Sequence, residues 1–82
     1  MSRGYANGYS DAVSASVKAS VYETYTSAPD GLTADEAAER MGLTVLAVRP
    51  EVCHLHKEGR LHKAGFKRKN ASGLFANVWV TS

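Results

Sequence analysis

From Asp11 to about Ser27 a valine or tyrosine returns at every fourth position, at Val13, Val17, Val21 and Tyr25, with Ala12, Ala15 and Ala19 between them. That spacing draws one narrow apolar stripe along a helix. Ser10 or Asp11 can cap its start, and Ala28-Pro29-Asp30-Gly31 has the turn chemistry that ends it. Thr33-Ala34-Asp35-Glu36 has the spacing of a capping box, in which the Thr33 hydroxyl takes the Glu36 amide while the Glu36 carboxylate reaches back to the Thr33 amide. A second helix is predicted from Ala34 to Met41, with Gly42 as its stop. Thr44 then starts a third helix that runs to Glu58, before Gly59. Two helices separated by so few residues form a tight helix-turn-helix, with Ala37, Ala38 and Met41 sharing a core with Val45, Val48, Val52 and Leu55.

After Gly59 the periodicity changes. Arg60 to Lys63 alternates around Leu61, and Leu74 to Val80 is rich in β-branched and aromatic residues, so both read as strands. Ala64 to Gly73 lies between them with a glycine near each end and is predicted to be a basic hairpin loop. Residues 1–10 carry two glycines and no apolar period, and read as a flexible arm before a domain spanning 11–82.

Composition narrows the picture without choosing a function. The 82 residues suit one small domain with a core too modest for a deep pre-organised cleft. A 44% hydrophobic and 22% charged chain is an ordinary globular one. No apolar run approaches the roughly 18 residues of a membrane-spanning helix. The start MSRGYANGYS lacks the regions of a signal peptide, and Cys53 has no second cysteine to pair with, so a cytoplasmic location is expected. The net charge of +2 hides an asymmetry. Up to Glu39 two bases face six acids, a balance of −4; from Arg40 onward eight bases face two acids, a balance of +6. All three histidines lie in the basic part, and such a split points to a polyanionic partner.

The order helix, helix, turn, helix, strand, basic loop, strand is the winged helix-turn-helix plan, an α+β class that is mainly α: three helices followed by a two-stranded β-hairpin wing. The segment LTADEAAERMGLTVLAVRPEVCHLHKEGRL resembles helix two, turn, recognition helix and first wing strand of small bacterial and bacteriophage winged-helix regulators, with Leu55 and Gly59 at the leucine and glycine of the usual L-x-x-x-G ending. FKRKNASGLFANVW is similar to the basic wing that closes such domains on a tryptophan. The resemblance covers Leu32 to Val80. It implies a double-stranded DNA-binding transcriptional regulator, such as a phage or prophage repressor, in the cytoplasm of a bacterial or phage-infected cell; because single modules often bind weakly, a homodimer on a two-fold site is expected.

At about 100° per residue, Val48, Val52 and Leu55 cluster on one side of the third helix, leaving Leu46, Ala47, Pro50, His54 and Lys57 opposite them with Arg49 on the flank. This face is the one expected to enter a major groove. Arg49 is the candidate for a bidentate contact to guanine or a clamp on phosphate. Thr44, at the positive end of the helix, can hold a phosphate, while Arg60 and the wing residues Lys67, Arg68, Lys69 and Asn70 are expected along the backbone or in the adjacent minor groove. Two features depart from the plan. Pro50, near the sixth helical position, predicts a kink or a later helix start, and Glu51 occupies a position that is often apolar.

Cys53, His54, His56 and His62 superficially suggest a metal site, yet a structural zinc needs four ligands in recognisable pairs and only one pair is present. No orienting acid accompanies a Cys-His pair, so no catalysis, metal, cofactor or small-molecule ligand is expected. The apolar stripe of the first helix reads as core, with part of it free to form a dimer seam. Trp79 reads as a core plug. A winged helix can also serve as a protein-interaction module without specific DNA binding, or as an architectural or replication-associated DNA binder, because fold does not fix function.

Overall fold

A computed structural model describes residues 15–81. The expected arm at 1–10, the cap at Ser10 or Asp11, and Ala12 and Val13 lie outside the described residues. Residues 15–26 are helical (α1), followed by α2 (Ala34–Met41), α3 (Val45–Lys57), β1 (Leu61–Lys69) and β2 (Phe75–Thr81). This is three helices and an antiparallel hairpin, the winged helix-turn-helix arrangement.

Both ends of α2 form as their residues dictate. Thr33 is extended, its Oγ1 accepts from the Glu36 amide at 3.1 Å, and its own amide donates to Glu36 Oε1 at 2.9 Å, closing the capping box. Gly42 ends the helix at φ 69°, and its amide and that of Leu43 return to carbonyls of the last turn. Helix α3 starts directly after Thr44, and the late start that Pro50 allowed does not occur. Pro50 is accommodated inside the helix, where Leu46 loses its usual amide partner on the exposed side while Val48, Val52 and Leu55 anchor the other side in the core. The Thr44 side chain makes no capping bond, contrary to expectation.

One core serves all the elements. Val21, Tyr25 and Ala28 from the first helix and the turn after it meet Leu32, Ala37, Ala38, Val48, Val52, Leu55 and Leu61, with Val17, Met41, Val45 and Trp79 packed at the margin. The described part of the α1 stripe is therefore core. Leu32 also exchanges both backbone hydrogen bonds with Trp79, at 3.1 and 2.8 Å, so the segment before α2 adds a one-residue third strand beside β2. This close approach explains Gly31. Its φ is 92°, and a Cβ there would lie 2.6 Å from Val78 Cγ1 and 2.9 Å from Val80 Cγ1.

The hairpin corrects the predicted loop. β1 does not stop at Lys63 but continues to Lys69, β2 begins at Phe75 rather than Leu74, and the turn shrinks to residues 70–74. The register steps from Lys63↔Trp79 to Lys67↔Asn77, so Ala64, Gly65 and Phe66 face a single residue of β2 in a bulge. The irregularity hides the strand, because it breaks the period-two pattern by which a strand is recognised. Glu51, at the position that is often apolar, is only 6% exposed and lies 3.2 Å from His54 Nδ1, so it belongs to the interior margin of α3.

Tyr25 is fully buried, and its hydroxyl has no hydrogen-bond partner among the described residues. Burial, reinforced by the Glu36 charge, pushes its ionisation well above the ordinary phenol range. Because the folded chain resists an ionisation that the unfolded chain undergoes near the ordinary value, stability should fall as pH rises through that range. Tyr25→Phe should leave stability unchanged or raise it by about 1 kcal/mol, since it removes an unpaired buried hydroxyl. The variant should also unfold less readily in alkali; urea titrations at neutral pH and near pH 11 check both outcomes.

Candidate nucleic-acid interface

The start of α2 and the wing are joined by a small polar network. Arg68 Nη1 donates to Glu36 Oε1 at 2.6 Å and lies 3.5 Å from the Gly31 carbonyl, while the fully buried Thr33 hydroxyl donates to Asn70 Oδ1 at 2.8 Å. Two of the expected DNA contacts, Arg68 and Asn70, therefore face the scaffold. Each locks the far end of the hairpin against the start of α2. Arg68 pairs with Ala76 in the ladder, whereas Lys67↔Asn77 and Lys69↔Phe75 project from the opposite face, and both lysines are exposed.

Along α3 the exposed residues form a continuous stripe. Leu46, Pro50, Cys53 and Lys57 occupy its centre by helical angle, with Ala47 and His54 on one side and Arg49 and His56 on the other, and all eight are exposed. Leu46 is 77% exposed, at a position where an isolated leucine gains nothing from folding. Cys53 was not among the expected contacts. The same angular arithmetic finds it, once the stripe is centred on Pro50 instead of on the side opposite Val52.

Individual contacts sort the remaining candidates. Arg49 Nη2 lies 3.7 Å from Asp35 Oδ1 in an exposed, loose pair that a phosphate or a base edge can displace at little cost. His54 is held by Glu51 on the same helix. Thr44 is exposed with its hydroxyl unused by the helix cap, which leaves that donor beside the positive helix end. Lys57 is exposed near the other end. Arg60 is turned toward the scaffold, with Nε 3.7 Å from Glu58 Oε1 and its guanidinium 5.6 Å from the centre of the Tyr22 ring. Glu58 in turn accepts from Lys18 Nζ at 2.6 Å, and this hydrogen bond, aided by the charges of Lys18, Arg60 and His54, holds its carboxyl below the usual range. The one acid next to Lys57 is thus already neutralised from α1. Trp79 is edge-on to His56, with ring centres 4.9 Å apart, and Lys63 Nζ sits 5.9 Å from its ring, so the tryptophan fastens the base of the wing to the end of α3.

From Gly59 to Ser82 the sequence has no Asp or Glu, and it carries Arg60, Lys63, Lys67, Arg68 and Lys69. Among the described residues, no group of three or more His, Cys, Asp or Glu is placed to hold a metal, and no helix is long and apolar enough to cross a membrane. A cleft of about 540 Å³ between α1 and the α2–α3 turn is lined by Val17, Ser20, Thr24, Met41, Leu43 and neighbours, and contains none of the candidate contacts.

No protein-family model matches the chain, and no curated protein matches its sequence. A solved structure does match, that of a possible transcriptional regulator from Methanosarcina mazei Go1, with a TM-score of 0.65 and 16% identity over 90% of this chain. The fold is a winged helix. The match covers 65% of the Methanosarcina chain, so the present domain spans about two-thirds of that protein's length.

The network at Glu36 separates scaffold from surface in a measurable way. Glu36→Ala should cost about 1–3 kcal/mol of stability, by loss of the capping box and of the Arg68 partner. Arg68→Met should cost about 1 kcal/mol, while Lys69→Met should stay within about 0.5 kcal/mol of the parent chain. Equilibrium urea unfolding of the three variants distinguishes them.

Proposed function

We propose that the chain is a sequence-specific double-stranded DNA-binding regulator, with α3 in the major groove and the wing over the adjacent backbone. One observation carries this reading: the acid-free cationic hairpin is joined at its base to α3, where Trp79 meets His56 on the flank of the exposed stripe, while most acids of the chain lie in its other half. A helix of this width fits a major groove, and cations that have no acidic partner on their own element are suited to phosphate. The likeness to a possible transcriptional regulator supports the same reading at the level of fold.

Within this proposal the roles divide by chemistry. Arg49 reads a base edge or clamps phosphate after releasing Asp35, Leu46 and Ala47 meet thymine methyl groups, and Thr44, Lys57, Lys67 and Lys69 bind phosphate. Arg68 and Asn70 position the wing. A single small module binds weakly, so we take the working unit to be a homodimer on a two-fold site. The proposal contains no catalytic step. It places the protein where the DNA is, in the cytoplasm of a bacterial or phage-infected cell, with repression as its simplest output.

The affinity of the protein for a random duplex should fall steeply as salt rises. In Lys67→Glu/Lys69→Glu, each lost lysine should flatten the log–log slope by about one unit. Duplex binding that is absent or insensitive to salt would defeat the reading and favour a protein-interaction module. Alkylation of Cys53 with a bulky maleimide should abolish duplex binding without unfolding the chain, because Cys53 lies on the centre line of the exposed stripe; unaltered binding after complete modification would move the interface off that face.

A further inference from the structure

The wing ends in two large apolar residues that folding leaves in water. Leu74, the last residue of the turn, is 71% exposed, and Phe75, the outermost residue of β2, is 67% exposed, both beyond the reach of the core. A wing that only lay along phosphates would have no use for them, and serine or asparagine would serve better there. Their surroundings specify a partner. Phe75 stands directly across from Lys69, and Asn77 across from Lys67, on one face of the hairpin; neither lysine takes part in an ion pair among the described residues. The strands of the hairpin contain no carboxylate that would repel a polyanion. On the opposite face Arg68 and Asn70 are bound to Glu36 and Thr33, so the tip is held rigidly and cannot fold back to bury its apolar pair.

We propose that Leu74 and Phe75 form an apolar wedge that enters the minor groove of duplex DNA and partly unstacks a base step, with Lys67 and Lys69 on the flanking phosphates. This rests on the duplex-binding reading above. A minor groove about 6 Å wide is too narrow for a two-stranded ribbon with its side chains, so only the tip enters, and the tip is where the apolar residues are. Apolar side chains inserted at a base step kink the duplex and let it meet more of the protein surface. On this reading the wing deforms the duplex as well as anchoring to it, and the sequence of the deformed step contributes to site choice without being hydrogen-bonded.

The test uses the full chain with duplexes carrying 2-aminopurine, whose fluorescence rises on unstacking, scanned through successive positions of the bound site. Saturating protein should raise the signal roughly two-fold or more at one step. Leu74→Ser/Phe75→Ser should abolish that rise while keeping the parent salt slope, since the lysines remain. Leu74→Ser alone gives a second variant with the smaller change. Salt-dependent binding with no fluorescence rise at any position overturns the wedge and leaves duplex binding standing. Absence of duplex binding overturns both, and a change in oligomeric state in the double variant without a fluorescence rise in the parent chain assigns the apolar pair to a protein contact and overturns the wedge.

Discussion

Much of the molecule depends on one carboxylate. Glu36 Oε1 accepts the Thr33 amide, which starts α2, and also the Arg68 guanidinium, which arrives from the wing. Thr33 completes the junction by accepting from the Glu36 amide and donating to Asn70. A local helix signal and a contact 32 residues apart in sequence thus share one atom. The preceding residue, Leu32, is paired to β2, so the start of α2 is fastened to the hairpin on two sides. The orientation of the wing relative to the helix pair follows from this junction and from Trp79 at the hairpin base, and not from the turn at its tip.

Helices α2 and α3 are readable in the chain because their ends carry local chemistry. A capping box and a left-handed glycine depend on residues a few positions apart, so no tertiary information is needed to place Ala34 or Met41. The same is true of the core: Val48, Val52 and Leu55 lie on one side of any helix that contains them. The length of β1 is not readable, because the bulge at Ala64 to Phe66 breaks the alternation and the glycine there resembles a loop residue. Nor could the chain alone say that Arg68 turns inward while Lys67 and Lys69 turn outward. That depends on the register with β2, and on the presence of Glu36 at the place Arg68 reaches.

Apart from Arg40, which makes no ion pair among the described residues, the bases of the second half divide by type. Arg49, Arg60 and Arg68 each lie within ion-pair distance of an acid, at Asp35, Glu58 and Glu36, whereas Lys57, Lys63, Lys67 and Lys69 make no such pair among the described residues. The planar, weakly hydrated guanidinium is suited to fixed partners, and the compact, strongly hydrated ammonium to mobile ones. The +6 balance that the sequence shows therefore overstates the charge free to meet a polyanion. Asp35 and Glu36 of the acid half act as counterions of Arg49 and Arg68, Glu58 does so for Arg60, and the lysines are left as the outward-facing set. Discrimination between bases then falls chiefly on the α3 stripe, where Arg49 is the arginine and its partner is held only loosely at 3.7 Å.

The bulge in β1 has a consequence for how the domain can diverge. Residues between Lys63 and Lys67 absorb chain length without disturbing the pairing on either side. Proximal to it, Leu61, Lys63 and Trp79 serve the core and the end of α3. Distal to it, the alternation decides which residues reach Glu36 and which reach outward. An insertion or deletion confined to 64–66 leaves both blocks in phase, whereas one between Lys67 and Asn70 would exchange the inward and outward sets. Descendants of this chain can therefore vary the length of the wing at one place and the identity of its tip at another, and still inherit the same fold.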